Sequence, residues 1–315
     1  MPVNHQACQF VRQLSPRPDK ILIAIHGAGA FSPQDYEHFL QGVDDQIKDP
    51  AVKGKYDCLG VLYADLMPRH IALVGKEHSD FKKNFKQQIL REQFLGLRAM
   101  ERHRRTLPPG ASTRTLGIKS AANDLLDWIF KNGIVDRLID FLSLFVSLPP
   151  LANEIADEVY AYLNDFTFAT QVQNCLLDAL AQAAPYSQVV LVSHSLGTVV
   201  ALDALNRWSS NQKIDYWFTL GCPLNKVKLL HEDSTATALT HYCVAHWYNL
   251  YDNHDIIAGV LGPNFSPQPN DPPTKPSVHD IFVEVGNAMP EAHDYMRNPL
   301  TLKFIADALQ QRSVP

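Results

Sequence analysis

An α/β fold, a mostly parallel sheet flanked by helices, is what the 315 residues predict, and two observations carry that expectation. Short, nearly all-apolar runs of strand length alternate along the chain with longer segments of helical periodicity. Several of those runs also lack the in–out alternation of a half-buried strand, as expected of strands covered on both faces. With 46% hydrophobic and 19% charged residues, the chain has enough apolar surface to form a core, which excludes wholesale disorder.

The elements follow in order. Residues 3–13 read as one or two antiparallel edge strands. Residues 20–26 (KILIAIH) form a short apolar run ending before Gly27, a strand buried on both faces. Residues 32–48 read as a helix that opens with Ser32-Pro33, a cap followed by a first-turn proline. Strands are expected at 56–63 and at 188–193 (QVVLVS), then a helix at 196–208. Further strands are expected at 216–220, 244–250 and 281–285, with a closing helix at 300–311.

Residues 66–165 break this rhythm. They hold a basic part, a Pro-Pro-Gly interruption at 108–110, a stretch at 125–151 rich in Leu, Ile, Phe and Val, and a helical pattern at 153–163. The expectation is a helical cap or lid inserted into a core of residues 1–65 and 166–315, not an independent domain. Phe141 and Phe145 are its candidate pocket-lining residues. Residues 66–120 carry twelve Lys/Arg against four Asp/Glu, a local net of +8 that leaves −13 for the rest of the chain. Such a module can make transient contact with an acidic lipid surface or an anionic substrate group. A solvated helix face explains the same charges.

The five cysteines (Cys8, Cys58, Cys175, Cys222, Cys243) are odd in number and widely spaced, a pattern of reduced thiols rather than of a disulfide framework. The N-terminus MPVNHQACQF has neither the basic start nor the apolar run of a signal peptide. No apolar run approaches the ~20 residues of a membrane span. A cytoplasmic location is expected, with no nucleic-acid partner. His241, His246 and His254 lack metal-ligand spacing, so neither a metal nor another cofactor is expected.

The chemistry concentrates at VVLVSHSLGTVVALDAL, residues 189–205. An apolar strand runs straight into Ser193-His194-Ser195-Leu196-Gly197, and an apolar-periodic helix follows at once. A nucleophile elbow has this strand–turn–helix form, with small residues two before and two after the serine because the turn leaves no room for larger ones. Ser193 stands where glycine is usual. Ser195 is the candidate nucleophile, at a helix N-terminus whose N–H groups favour developing negative charge. His26-Gly27-Ala28-Gly29, at the end of the first apolar strand, suits an oxyanion loop, with the N–H groups of Ala28 and Leu196 as donors. An acid and a base should follow in that order on loops after later strands. Asp255, just before Ile-Ile-Ala-Gly, is the candidate acid and Asp252 the alternative. His293 is the candidate base, placed after the last expected strand, whereas His279 precedes it.

These segments (IHGAGAF, VVLVSHSLGTVVALDAL, TLGCPL, HWYNLYDNHDIIAG and AHDYM) resemble bacterial serine hydrolases of the α/β-hydrolase fold, lipase/esterase-like. The resemblance covers roughly residues 18–65 and 155–311. Hydrolases of that kind often carry a tract like WxNxxDxxDxVA with the second aspartate as acid, which favours Asp255. They more often have serine where this chain has Cys222, which makes Cys222 another candidate for the pocket wall. The resemblance implies hydrolysis of a carboxylic ester, acyl or lipid-like, through an acyl-enzyme on Ser195. A thioesterase or acyltransferase on the same residues is the nearest alternative, and a non-catalytic binding protein on the hydrolase fold is the more distant one.

Overall fold

Seven strands form one sheet in the order β1-β3-β2-β4-β5-β6-β7 in the computed structural model, which describes residues 9–12, 19–29, 31–66, 75–106, 149–208, 212–230, 243–272 and 275–314. The strands are β1 (Gln9–Arg12), β2 (Lys20–Ile25), β3 (Asp57–Val61), β4 (Gln188–His194), β5 (Ile214–Leu220), β6 (Val244–Tyr251) and β7 (Val278–Phe282). Every neighbouring pair is parallel except β1 with β3. Eight helices occur among the described residues: α1 (Pro33–Gln46), α2 (Lys76–Thr106), α3 (Pro150–Asn164), α4 (Phe166–Gln182), α5 (Leu196–Arg207), α6 (Leu224–Leu230), α7 (Gly262–Phe265) and α8 (Pro299–Leu309). No helix among the described residues is long and apolar enough to cross a membrane.

The apolar runs behave as two-faced strands. In β2 and β4 nearly every side chain is buried, because successive residues point to opposite faces and both faces are covered. Leu22, Ala24, Val190 and Val192 join the cluster built with Tyr36, Phe39, Leu40 and Val43 of α1 and Phe304, Ile305 and Leu309 of α8. The alternating set Ile21, Ile23, Ile25, Val189 and Leu191 is equally buried, and α4 and α5 contact this part of the sheet. Ser32 caps α1, with Asp35 returning the hydrogen bond to the Ser32 backbone. Inside α1, the Tyr36 hydroxyl lies 3.1 Å from the Ala24 carbonyl and 2.8 Å from that of Val61, linking the helix to the exits of β2 and β3. Gly60 makes room for that ring, since a Cβ there would lie 2.6 Å from it.

Helices α3, α4 and α5 share a buried polar clamp. The Tyr162 hydroxyl donates to Asp203 at 2.8 Å and accepts from Gln173 at 2.7 Å, and Arg207 donates to Gln173. Burial pushes the Asp203 carboxyl up to about 6. The Tyr162 hydroxyl is satisfied on both sides, whereas Oδ1 of Asp203 is buried with no hydrogen-bond partner among the described residues.

The chain divides into two compact units, residues 1–73 with 150–315, and residues 74–149. The second unit is described chiefly through α2, where Phe81 and Phe85 stack at 6.0 Å. The division differs from the expected boundaries at 66 and 165: α3 packs on α4 and α5 of the sheet unit. The apolar stretch to 148, including Phe141 and Phe145, lies outside the described residues, as do 67–74 and 107–120 of the basic stretch.

Two strand expectations need correcting. β5 begins two residues before the expected 216. The last strand occupies Val278–Phe282 rather than 281–285, so His279 lies within it and pairs with Tyr248. The apolar-run criterion failed here because Asp280 sits mid-strand. Its carboxylate is consumed by the N–H groups of Leu261 (2.8 Å) and Gly262 (2.7 Å) and by Asn249 Nδ2 (2.7 Å), contacts that no short-range pattern displays.

Candidate active site

The site forms at the C-terminal ends of the central strands, the usual place for a ligand crevice in an open α/β sheet. Ser195 connects β4 to α5 with φ 50° and ψ −124°, a backbone conformation that costs a non-glycine residue free energy. Hydrogen bonds hold the turn there: Ser195 N–H donates to the Leu220 carbonyl at 2.8 Å and Thr198 N–H to the Ser195 carbonyl at 3.0 Å. Close approach explains the glycines. A Cβ at Gly197 would lie 2.3 Å from the His26 carbonyl oxygen, and one at Gly27 only 2.4 Å from Ser195 Cβ. Ser193 does more than stay small: its hydroxyl accepts the Trp217 indole N–H at 2.9 Å.

Behind the loop after β2, His26 is fully buried and stacked between Tyr63 (centroids 4.2 Å) and Phe31 (5.2 Å). Tyr63 N–H donates to its Nε2 at 3.4 Å, so Nδ1 carries the proton and donates to the Gly27 carbonyl at 2.6 Å. Burial lowers the His26 pKa to about 4 and keeps the ring neutral. Gly29, at φ +91°, gives its N–H to the Glu158 carboxylate of α3 at 2.9 Å. Ala28 lines the cavity described below, and Leu196 is the first residue of α5, where N–H groups have no intrahelical acceptor.

His293 and Asp255 meet directly. Nδ1 of His293 donates to Oδ2 of Asp255 at 2.7 Å, with the Asp255 side chain inaccessible and that of His293 only 5% exposed. Oδ1 of Asp255 accepts the Ile257 N–H at 2.9 Å. Burial pushes the Asp255 carboxyl up, but the His293 charge and the hydrogen bonds from His293 and the Ile257 N–H outweigh it and hold the pKa below the ordinary value.

Asp252 is occupied elsewhere. Its carboxylate accepts N–H groups from His254 (2.8 Å), Val285 (2.7 Å) and Gly286 (3.2 Å), so it closes its own turn and ties the loop after β6 to the segment after β7. The other polar residues of the same tract are also consumed: Trp247 donates to Thr219, and Asn249 donates to the Gly259 carbonyl and to Asp280.

His194 faces a cavity of about 380 Å³ shared with His293, Ala28, Phe31, Phe39 and Leu151. Its Nε2 donates to the His293 carbonyl at 3.0 Å, and the two rings lie 4.6 Å apart. Burial, then the neighbouring His293 charge, lowers the His194 pKa to about 3. Arg297 stands at this cavity beside Asp35 (3.5 Å) and Asp294 (3.6 Å). Ser195 Oγ and His293 Nε2 are both buried and have no hydrogen-bond partner among the described residues.

Cys222 does not line this cavity. It is buried, its sulfur accepts the Leu224 N–H at 3.4 Å, and burial pushes its thiol up to about 12, so it packs as a neutral side chain. No group of three or more His, Cys, Asp or Glu suited to a metal occurs among the described residues. Sequence reasoning missed Glu158, Trp217 and Tyr295. Only Tyr295 carried a local signal, standing two residues after the candidate base. Compared with known protein families, curated proteins and solved structures, the chain matches none.

Proposed function

We propose that the chain is a serine hydrolase of the α/β-hydrolase fold, lipase/esterase-like, that cleaves a carboxylic ester through an acyl-enzyme on Ser195. The observation that carries this reading is the buried His293–Asp255 pair at 2.7 Å, taken together with a serine held at φ 50° between a parallel strand and a helix. A strained turn at that position is hard to account for unless the hydroxyl must be presented.

In this reading His293 Nε2 takes the Ser195 proton as Oγ attacks the ester carbonyl carbon. Asp255 keeps the imidazole proton on Nδ1 and stabilises the imidazolium. The N–H groups of Ala28 and Leu196 receive the oxyanion. The imidazolium then gives its proton to the departing alkoxide, and the same base activates water to release the acid. The unpartnered Ser195 Oγ and His293 Nε2 fit a contact that tightens once substrate excludes water, as unliganded sites often show. The apolar cavity wall of Phe31, Phe39 and Leu151 suits an acyl chain.

A fluorophosphonate probe should label the wild type at Ser195, while Ser195→Ala stays folded and unlabelled. Equal labelling of the alanine variant, or a tag mapped to Ser193, overturns the assignment. Hydrolysis of p-nitrophenyl esters from C2 to C16 then gives the acyl preference.

A further inference from the structure

An oxyanion donor is useful when its peptide plane is fixed before charge develops, and the loop after β2 belongs to no helix or strand that could fix it. The peptide before Ala28 is held from one side. Its carbonyl, that of Gly27, accepts the Tyr63 hydroxyl at 2.9 Å and the His26 Nδ1–H at 2.6 Å. This peptide is trans, so its N–H, that of Ala28, points away from both donors. No acceptor among the described residues takes that N–H.

The peptide after Ala28 needs a partner of its own. Gly29 sits at φ +91°, and a glycine has several backbone basins open to it with no side chain to choose among them. Its N–H donates to Glu158 Oε1 of α3 at 2.9 Å. Glu154, one turn earlier on α3, comes 3.8 Å from where a Gly29 Cβ would stand, without bonding the Gly29 N–H. Helix α3 is in turn fixed to α5: Tyr162, four residues after Glu158, donates to Asp203 at 2.8 Å, and α5 begins with Leu196. The two candidate oxyanion donors therefore hang on one framework, Leu196 on α5 itself and Ala28 beside a glycine that α3 holds.

The geometry points to Glu158 as a positioning residue that orients the oxyanion loop at Ala28, an assignment that rests on the hydrolase reading above. Burial, with Glu154 and Asp157 adding to it, pushes the Glu158 carboxyl up to about 7 against the pull of the Gly29 N–H. At pH 8 the group is ionised and its bond to Gly29 is charge-assisted, the stronger kind. A carboxylate that merely satisfied the Gly29 N–H would act on stability alone.

Three variants of the full chain separate the two roles. Glu158→Leu removes the acceptor, Glu158→Gln keeps one, and Glu154→Leu is the control on the same helix. The readouts at pH 8 are p-nitrophenyl butyrate kinetics, inhibition by an alkyl trifluoromethyl ketone, and the Gly29 amide resonance in protein labelled with ¹⁵N-glycine. The ketone reads the oxyanion site directly: Ser195 Oγ adds to its carbonyl carbon, the serine proton passes to His293, and the hemiketal oxygen is left as an anion. Glu158→Leu should lower kcat about tenfold to a hundredfold with KM nearly unchanged, and should weaken ketone binding by a similar factor. Glu158→Gln should restore most of both, and Glu154→Leu should match the wild type. A Glu158→Leu variant within about threefold of the wild type in kcat overturns the proposal. So does a kcat loss that leaves ketone binding unmoved, a loss that glutamine does not rescue, or an equal loss in Glu154→Leu. An unmoved Gly29 resonance in Glu158→Leu overturns the contact itself. If Glu158→Leu does not fold, Glu158→Asp, which keeps the charge but withdraws it by one methylene, must show the same paired loss. A wild type inert to both esters and fluorophosphonate sinks the hydrolase reading and this role with it, even where the Gly29 resonance shows the contact.

Discussion

Asparagine at position 255 would keep the shape of the aspartate while exchanging one carboxylate oxygen for an amide nitrogen. Its consequence can be worked from the contacts. Oδ2 receives the His293 Nδ1 proton and Oδ1 the Ile257 N–H, so in either orientation the amide sets a donor against a donor. The backbone N–H cannot change, whereas the imidazole can shift its proton to Nε2. That tautomer has no lone pair for the Ser195 proton. The corresponding change in a serine protease costs about 10⁴ in kcat, or ~5 kcal/mol at ~1.36 kcal/mol per decade. Asp255→Asn should lose at least ~100-fold in kcat.

Asp252→Asn is the control. Its carboxylate receives three backbone N–H groups, and the amide retains one acceptor. The expected cost is about 1–3 kcal/mol of stability, a drop of several degrees in Tm, with most activity kept. The assay is ester hydrolysis and fluorophosphonate labelling rate beside a melting curve for each variant. The reverse ranking of activity, or an Asp255→Asn variant within tenfold of the wild type, would refute the assignment of the acid.

Two further outcomes follow from buried polar groups around the site. Ser193→Ala leaves the Trp217 indole N–H without its 2.9 Å acceptor, so Tm should fall by several degrees while Ser195 labelling persists; a variant as stable as the wild type contradicts this role for the hydroxyl. Burial, with Glu154 and Asp157 adding to it and the Gly29 N–H opposing, pushes the Glu158 carboxyl up to about 7. The folded chain thus binds this proton more tightly than the unfolded chain, so Glu158 costs stability progressively as pH rises from ~4.5 to ~7, up to about 3 kcal/mol. Glu158→Gln, which keeps an acceptor for Gly29, should melt several degrees above the wild type at pH 8 and level with it at pH 4.5; equal melting at both values refutes the shift.

By itself, the sequence determined the α/β class, because a strand covered on both faces must be apolar at nearly every position, and that condition is written in consecutive residues such as those of β2 and β4. The turn at Ser195 was legible for the same reason. Its tightness comes from sterics within five residues, and Gly197 records them. Candidates for an acid and a base could be ranked by their place after later strands. What lay beyond the sequence depends on contacts between residues far apart in the chain. Asp255, not Asp252, meets His293 because the segment after β7 presents the N–H groups of Val285 and Gly286 to Asp252, leaving the ring to the other carboxylate. Asp280 could extend β7 only because Leu261, Gly262 and Asn249 satisfy it. Ser193 stands in a glycine's usual place with a partner 24 residues away, and the Tyr295 hydroxyl receives the Asp252 N–H, 43 residues earlier in the chain, only once that loop folds back beside it. Polar groups show their use through partners, and tertiary structure alone chooses the partners, since a buried donor or acceptor is tolerated only where another part of the chain completes it.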